Sequence, residues 1–282
     1  MADEAKVVIA TNLANWIPDI WSLEVLSAVE NSLVAGALCD RTYEAFARGG
    51  GNNIVVPNLA EITANAVNTS LEMTLYDTVQ NVTNIALNIK YDIGVVVDDI
   101  NQMQSNPKYF EKVRSKLAYG LAKQIDTNVC ALYKGLDYAA GTVNVALTED
   151  VLLEAYEYLN VANAPYEDRH WVIDPESITD LYKFDMFSKW DYTGDVPWKT
   201  GFVGRQILGA PVYVTTNLDT YAGGPHAGAY KQREAIALTM QMAPKFEVAR
   251  IPLQHGDALI GLCVYGVTEM RGTFGVCINT RS

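Results

Sequence analysis

The clearest pattern along the chain is a strict alternation of apolar and polar positions from Thr83 to Val97. Successive side chains of a β-strand point to opposite faces, so this alternation predicts one half-buried strand, longer than the usual ~5–6 residues. Residues 53–58, which contain Ile54-Val55-Val56, are predicted to pair with it. A two-stranded ribbon is only marginally stable in water, so we expect this arm to lie on another subunit.

A long helical pattern follows the arm. Asn106 is placed to cap it, Pro107 takes the first helical position and Gly135 follows its end. Apolar residues recur at helical spacing between Phe110 and Leu132. At 1.5 Å per residue the span 107–134 would be about 42 Å long, so this helix is expected to form the spine of a domain.

Two unusual segments precede the arm. Trp16 and Trp21 stand ahead of a helical pattern that Ser22 would cap and that extends to Leu38. Two tryptophans are costly to leave in water, so they are expected to pack on this chain's core or on a neighbouring subunit. The run Gly49-Gly50-Gly51 cannot continue a regular element and predicts a tight turn or a hinge.

The second half of the chain has shorter elements. A helix capped by Thr148 is predicted to extend to about Leu159, and a glycine-rich surface loop is predicted from Asp219 to Tyr230. A buried strand from Arg169 that ends at Pro175 and a short helix from Pro175 to Phe184 are predicted between them. Further strands are predicted at residues 212–216, 235–242, 246–251, 258–267 and 274–278.

Composition and charge narrow the class of protein. The 282 residues are 49% hydrophobic and 19% charged, with a mean hydropathy of +0.02, which is ordinary for a globular protein. The formal net charge of −12 and the absence of a basic cluster in the sequence disfavour nucleic-acid readout. Apolar runs are too short to span a bilayer, and the N-terminal residues are not typical of a secretory signal. We therefore expect a cytoplasmic origin, with Cys39, Cys130, Cys263 and Cys277 as buried free thiols.

Motifs for catalysis, phosphate binding and metal binding are not found in the sequence. The sequence therefore predicts no catalytic, cofactor-binding or metal-binding residues. The aromatic and acidic loop from Phe187 to Trp198 leaves one alternative open, a cytoplasmic α+β enzyme with its site near residues 187–205. Its candidate residues are Asp174, Trp190, Trp198 and Arg205.

The order of several segments resembles the major capsid proteins of tailed bacteriophages, which have the Hong Kong 97-like fold. These segments begin with Trp16-Ile17-Pro18-Asp19-Ile20-Trp21, the glycine turn with its β-arm, and the spine helix that contains Ala122-Lys123-Gln124-Ile125-Asp126-Thr127. They continue with Trp171-Val172-Ile173-Asp174-Pro175-Glu176, residues 202–212, Asn217-Leu218, Arg250-Ile251-Pro252 and Tyr265-Gly266-Val267. Each motif is weak alone, and the resemblance rests on their order over nearly the whole chain.

The resemblance implies an α+β fold with four parts. Residues 1–48 would be an N-terminal arm and 49–92 an extended β-hairpin loop that lies over a neighbour. Residues 93–136 and 232–282 would form a peripheral domain with the spine helix, and 137–231 an axial domain. Gly49, Gly50, Gly51 and Gly94 would act as hinges during shell maturation. The implied subunit contacts are Trp16, Trp21, Leu71, Met73, Tyr76, Tyr221 and Gly224.

The implied function is that of a major capsid protein without enzymatic activity or cofactors. It would assemble with itself into pentamers and hexamers of an icosahedral head that encloses double-stranded DNA without reading its sequence. The implied partners are a separate scaffolding protein, a portal protein at one vertex and a decoration protein. The resemblance implies no contact with a membrane. The protein would be made in the host bacterial cytoplasm and end in the virion. An encapsulin-like nanocompartment shell protein is the alternative of related fold.

Overall fold

The computed structural model describes residues 34–59, 80–99, 109–184, 206–222, 224–252 and 255–281. Its helices α1 to α4 are Glu44–Ala47, Tyr109–Ala131, Glu149–Val161 and Pro175–Leu181. Its strands β1 to β5 are Asn53–Leu59, Gln80–Ala86, Ile89–Asp98, Tyr138–Ala140 and Arg169–Ile173. Strands β6 to β11 are Gln206–Ile207, Ala210–Val214, Ala227–Gln232, Ile236–Ile251, Gly256–Glu269 and Gly275–Asn279. Short 3₁₀ turns occupy Ala35–Leu38, Leu132–Gly135, Arg233–Ala235 and Gly272–Phe274.

Helix α2 packs on a three-stranded antiparallel sheet in the order β3-β10-β9. The predicted apolar stripe of the helix is confirmed, because Leu117, Leu121, Ile125 and Val129 are all buried. Contact is close at Gly120, where an added methyl group would lie 3.0 Å from Ile93 Cδ1. The 23 residues of α2 make a helix about 35 Å long, which spans this part of the fold as the pattern predicts.

A six-stranded mixed sheet in the order β4-β11-β8-β5-β7-β6 forms the second core with α3 and α4. Trp171 on β5 stacks on Tyr230 of β8 with ring centroids 3.9 Å apart. Its indole Nε1 donates to the carbonyl of Ile207, 3.1 Å away. The strand predicted from Arg169 to Pro175 is confirmed as the fully buried β5, which ends at Ile173.

The prediction of one strand from Thr83 to Val97 is wrong in one respect. The structure has two strands there, β2 and β3, and they pair with different strands. β2 pairs with β1 over Asn53–Leu59, whereas β3 pairs with β10 in the three-stranded sheet. The chain leaves strand geometry at Leu87 and Asn88, where the Leu87 amide donates to the carbonyl of Asn52. A two-residue link preserves the alternation, and this explains why the pattern runs through the break.

The prediction of a glycine-rich surface loop from Asp219 to Tyr230 is also wrong for the second half of this range. Residues from Ala227 onward form β8, which lies between β11 and β5 and is buried at every position. Small residues are needed there, since a methyl group on Gly228 would lie 2.8 Å from the carbonyl oxygen of Val172. The Ala-Gly-Ala sequence lacks the β-branched residues that mark a strand, so sequence propensity pointed to a loop.

Other differences are smaller. Ala35–Leu38 is a 3₁₀ turn that follows the non-helical Val34, and residues 22–33 of the predicted helix lie outside the described residues. Thr148 occupies the N-cap position of α3, but its side chain makes no capping hydrogen bond. Helix α4 ends at Leu181, before the predicted Phe184, and the two strands predicted at 235–242 and 246–251 are one strand, β9.

The implied domain boundaries cut across two observed elements. The division between residues 92 and 93 falls inside β3. Strand β11, which lies in the range implied for the peripheral domain, pairs with β4 and β8 of the six-stranded sheet. The closing strand of the chain therefore joins the sheet that the resemblance assigns to the axial domain.

Candidate assembly surfaces

The short segment from Ala35 to Asp40 is fixed from several sides. Asp126 Oδ1 on α2 accepts from the amide of Gly36 at 2.9 Å. Lys231 Nζ on β8 donates to the carbonyl of Leu38 at 2.8 Å. The amide of Asp40 donates to Ile236, and Asp40 in turn accepts from Leu238. Helix α2 and strands β8 and β9 therefore hold one anchor, which we define as residues 35–40.

The anchor lies over an unusual buried cluster of titratable groups. Lys231 is fully buried, and burial lowers the pKa of its ammonium group. Burial also raises the pKa of the Cys39 and Cys130 thiols and of the Tyr133 hydroxyl around it. All four cysteines are buried free thiols, as the sequence predicts. The thiols stay protonated at neutral pH and serve as small packing groups.

The three glycines between α1 and β1 form the predicted tight turn. Gly50 and Gly51 have φ values of 95° and 105°, a region that favours glycine. The side chain of Gln241 on β9 donates to the carbonyl of Gly51 at 2.7 Å. Gly94, by contrast, pairs regularly with Ile260 inside β3. The turn is confirmed, and the hinge role of all four glycines stays a prediction.

The β1–β2 hairpin has two unlike faces. Ile54, Val56 and Ile85 point inward and pack near Ala47 and Ala237 in a small core cluster. On the opposite face Val55 and Val82 are 57% and 51% exposed, and Pro57 beside them is exposed. This outward face is uncovered within a single chain, and such surfaces mark sites of protein contact.

The base of the hairpin is seated tightly on β10. A methyl group on Gly266 would lie 2.5 Å from the carbonyl oxygen of Ala86, too close for any side chain. Ile85 and Leu87 are buried beside this contact. The base of the hairpin is therefore held in place by its packing against β10.

The second uncovered apolar surface lies on the three-stranded sheet, opposite α2. Val96, Ile260 and Leu262 are exposed there, on neighbouring positions of β3 and β10. Lys245 and Glu247 of β9 form an ion pair at their edge, 2.5 Å apart. The sheet thus has one face buried against the helix and one mixed face open to a partner.

Two helices carry opposite charge on their outward faces. Among the residues of α2 whose side chains are described, the exposed charged ones are Lys112, Arg114, Lys116 and Lys123. Every charged residue of α3 is acidic, and Asp150, Glu154 and Glu157 are exposed. Lys112, Lys116 and Lys123 lie within about 40° of one another around the helix, whereas Arg114 lies on another side.

Tyr221 and Gly224, two of the implied contact residues, lie in a closed turn. Tyr221 donates its hydroxyl to Asn279 Oδ1 at 2.8 Å, and Lys134 Nζ lies 4.6 Å from its ring centre. Burial, followed by the hydrogen bond with Cys277, raises the pKa of Tyr221 to about 12. Gly224 has a φ of 105°. The turn is held by its own chain, and its contact with another subunit stays a prediction.

The remaining implied contacts, Trp16, Trp21, Leu71, Met73 and Tyr76, lie outside the described residues. So do Trp190, Trp198 and Arg205 of the enzyme alternative. Asp174 is described, and it caps α4 by accepting from the Ser177 amide at 2.9 Å. Its carboxylate also accepts from the hydroxyls of Ser177 and Thr280, so the helix and the C-terminal segment use its oxygens.

The described part of the chain contains open cavities, one of about 360 Å³ lined by Gly141, Val151 and Glu154, among others. Another of about 120 Å³ is lined by His170, Tyr213 and Arg233, among others. Burial lowers the pKa of His170 to about 3, so its ring is neutral at physiological pH. Among the described residues, no group of three or more His, Cys, Asp and Glu side chains is placed to hold a metal ion. A search of the same residues finds no helix long and apolar enough to cross a bilayer.

Sequence reasoning missed the residues that hold the anchor. Asp126 and Lys231 are polar groups at buried positions, one on the apolar side of α2 and the other within β8. The only sequence signal is a single carboxylate beside Ile125 and near Val129 in the apolar stripe. Its partners, Gly36 and Asn217, lie about ninety residues away on either side of it.

The sequence matches no family model and no curated protein. Solved structures of similar fold do exist. A chain from Mycobacterium phage Che8 is 22% identical, covers 94% of this chain and 97% of its own length, and has a TM-score of 0.77. A chain of the capsid of cyanophage P-SCSP1u is 18% identical, covers 95% of this chain and 94% of its own length, and has a TM-score of 0.74. A chain of the mature capsid of bacteriophage PhiM1 is 11% identical, covers 93% of this chain and 91% of its own length, and has a TM-score of 0.72.

These likenesses cover almost the full length of both chains in each case. The expected α+β fold, that of the Hong Kong 97-like capsid proteins, is confirmed.

Proposed function

We propose that this chain is the major capsid protein of a tailed bacteriophage, the subunit that assembles into the head around the DNA. The observation that carries the proposal is the fold, shared over at least nine tenths of both chains with phage structures that include two capsids. The proposed role is structural and involves no catalytic step.

The uncovered surfaces support this proposal. The outward hairpin face around Val55 and Val82 and the open sheet face around Ile260 expose apolar side chains in a single chain. A shell subunit covers such surfaces with other copies of itself. Each contact can be of ordinary size, about 1,600 Å² in total, because closure of the shell adds many of them together.

The partners follow from the same role. Copies of the chain would form pentamers and hexamers, a scaffolding protein would direct assembly, a portal would occupy one vertex and a decoration protein could bind outside. The net charge of −12 is suited to a container that holds DNA without binding it tightly. Synthesis would occur in the host bacterial cytoplasm and the final location would be the virion.

Four parts of the chain would serve this role. Residues 1–48 would be the arm, 49–92 the extended loop, 93–136 with 232–282 the peripheral domain and 137–231 the axial domain. Gly49, Gly50, Gly51 and Gly94 are the proposed hinges. The proposed subunit contacts are Trp16, Trp21, Leu71, Met73, Tyr76, Tyr221 and Gly224.

The test is the size of the purified protein, measured by light scattering after gel filtration, with electron microscopy of any large fraction. Icosahedral particles, or capsomer rings that join when the phage's scaffolding protein is added, are the expected result. A monomer that never assembles with the scaffolding protein present would overturn the proposal. Particles that contain an enzyme cargo in place of DNA would instead identify a nanocompartment.

A further inference from the structure

Three described segments carry the chain between the three-stranded sheet and the six-stranded sheet. The first joins α2 to β4, the second joins β8 to β9, and the third joins β10 to β11. Each contains one of the short 3₁₀ turns, Leu132–Gly135, Arg233–Ala235 and Gly272–Phe274. We call residues 132–137, 233–235 and 270–274 the three crossings. Because they connect the two sheets, the packing of the crossings on one another helps to fix how the sheets are positioned.

Attractive contacts hold the crossings together. The amides of Met270 and Arg271 both donate to the carbonyl of Ala235, at 2.9 and 3.3 Å, and join the third crossing to the second. The first crossing packs on the end of the third, since a methyl group on Gly275 would lie 2.7 Å from Leu136 Cδ2. The three segments therefore form one contact region.

One pair of side chains in the same region is repulsive. Asp137 belongs to the first crossing, and Glu269 ends β10 just before the third. A methyl group on Gly272 would overlap Glu269 Oε1 and would lie 2.7 Å from Asp137 Oδ2. The two carboxylate oxygens are therefore at most about 5 Å apart, a distance at which one ionised carboxylate opposes ionisation of the other. We call Asp137 and Glu269 the carboxylate pair.

The charges around the carboxylate pair do not neutralise it. Among the described residues, neither carboxylate has a hydrogen-bond donor or a cation as its partner. The basic residues of the crossings have other partners, which are Glu234 for Arg271, Asp219 for Lys134 and the carbonyl of Cys39 for Arg233. The guanidinium of Arg271 also lies 5.0 Å from the ring centre of Phe274. The repulsion within the pair is therefore not compensated by its surroundings.

We propose that the carboxylate pair is a proton-controlled switch on the crossings. When both carboxylates are ionised, their repulsion loosens the first crossing from the third. When one proton is taken up from solvent, the carboxyl group can donate to the remaining carboxylate and the repulsion is lost. The crossings then close. The switch lies within one chain, so it does not depend on the proposed shell function.

The surroundings of Glu269 favour its protonated form. Burial, followed by the negative charge of Asp137, raises the pKa of Glu269 above its ordinary value of 4.5. A group with a raised pKa adds to folded stability below its unfolded value, and this contribution is lost as the pH rises through its folded value. The pair therefore supports closed crossings at acidic pH and opposes them at neutral pH.

Removal of the charges with little change of shape tests the switch. The variants are Glu269→Gln, Asp137→Asn and the double variant. The control is Glu167→Gln, since Glu167 is exposed on the loop before β5. Hydrogen–deuterium exchange of the full chain, in one assembly state throughout and with a chelator present, is measured by mass spectrometry on peptides that cover the crossings. Each variant is compared with the unaltered protein at the same pH, so that the intrinsic pH dependence of exchange cancels.

At pH 7 each single variant is expected to slow exchange of the crossings at least about twofold, because it removes the repulsion. The double variant is expected to add little to either single change, since loss of one charge already abolishes the repulsion. At about pH 4 the differences are expected to shrink, because Glu269 of the unaltered protein is then protonated. The control is expected to exchange as the unaltered protein does at both pH values.

Three results would overturn the switch. One is unchanged exchange in both single variants at pH 7. Another is a double variant whose effect is the full combination of the two single effects, because independent carboxylates do not repel each other. The third is faster exchange of the Glu269→Gln variant by a factor that is the same at both pH values, which would assign the carboxylate a structural role instead.

A second variant keeps the test open if Glu269→Gln fails to fold. Asp137 is exposed, so Asp137→Asn leaves the core intact. Slower exchange of this variant at pH 7 that disappears at about pH 4 supports the switch, and an effect that is equal at both pH values overturns it. Particle formation does not enter these readouts, so failure of the proposed shell function and failure of the switch remain distinguishable.

Discussion

Asn217 donates its side-chain amide to Asp126 Oδ2 at 3.1 Å, and this buried bond joins the loop after β7 to helix α2. The other carboxylate oxygen of Asp126 accepts from the amide of Gly36 in the anchor. One side chain therefore connects the spine helix to a loop of the six-stranded sheet and to the segment that enters from the N-terminal side. Because Asp126 is buried, loss of its carboxylate would leave the buried Asn217 amide without an acceptor and would also remove the acceptor of the partly buried Gly36 amide.

The first prediction concerns this carboxylate. Asp126→Ala should lower the free energy of unfolding by about 2–4 kcal/mol, because the buried Asn217 amide and the partly buried Gly36 amide lose their acceptor. Asp126→Asn keeps one carbonyl oxygen and should lose less. The measurement is chemical denaturation of the unassembled subunit. Asp92→Ala is the control, since Asp92 is exposed on β3 and its loss should change stability by less than about 0.5 kcal/mol. Equal stability of the Asp126→Ala and Asp92→Ala proteins would contradict the assigned role.

The elements with periodic patterns were predictable from the sequence. The apolar stripe from Leu117 to Val129 located α2 because a helix that covers a sheet needs one apolar face. Alternation located β2 and β3 because each has one buried face. The pairing of residues 53–58 with β2 was predicted correctly, but the change of partner at β3 was not predictable, since the alternation continues through Leu87 and Asn88.

The parts that escaped prediction depend on contacts between distant residues. The first half of β8, from Ala227 to Ala229, is made of small residues because the neighbouring strand approaches closely at Gly228, and that reason appears only in three dimensions. Asp126 and Lys231 meet their partners across gaps of ninety or more residues. The exposed lysines Lys112, Lys116 and Lys123 of α2 are separated in sequence and are aligned only by the helix. Uncovered surfaces have no periodicity of their own, so the assembly surfaces required the fold.

The second prediction tests how the hairpin is seated. Gly266→Ala should destabilise the protein by about 1–3 kcal/mol, because the new methyl group would overlap the carbonyl of Ala86 and push the hairpin base away. Gly94→Ala is the matched control, since the nearest atom to its new methyl group is 3.7 Å away. Thermal unfolding of the two variants gives the comparison. Normal assembly of Gly94→Ala would also count against a hinge at that position.

The third prediction concerns the glycine turn. Gly50→Ala should cost about 1–2 kcal/mol, because its φ of 95° is unfavourable for any residue with a Cβ atom. Gly49→Ala should be nearly neutral, since φ is not positive there and the nearest atom, the Phe46 carbonyl oxygen, is 3.4 Å from the new methyl group. A proline at position 50 would break the turn outright, because its ring fixes φ near −65°. Equal melting temperatures for the two alanine variants would show that the turn does not require the left-handed conformation.

The last prediction concerns pH and the C-terminal end of the described chain. Arg281 donates from Nε and Nη2 to the carboxylate of Asp180, both at 2.9 Å, and Lys183 Nζ donates to the same group at 2.7 Å. Burial alone would raise the pKa of Asp180, but these hydrogen bonds outweigh it and lower the pKa below the ordinary value.

A carboxylate with a lowered pKa stabilises the folded state above its unfolded pKa of about 3.9 and loses that contribution as the pH falls through its folded value. Asp180→Asn should therefore reduce stability at pH 7, and the difference from the unaltered protein should shrink as the pH falls below about 4. Arg281→Gln should show the same trend more weakly, because Lys183 remains in place. The measurement is denaturant unfolding of the subunit between neutral and acidic pH. A stability difference for Asp180→Asn that stays constant over this range would show that the loss comes from packing and not from the charge of the carboxylate.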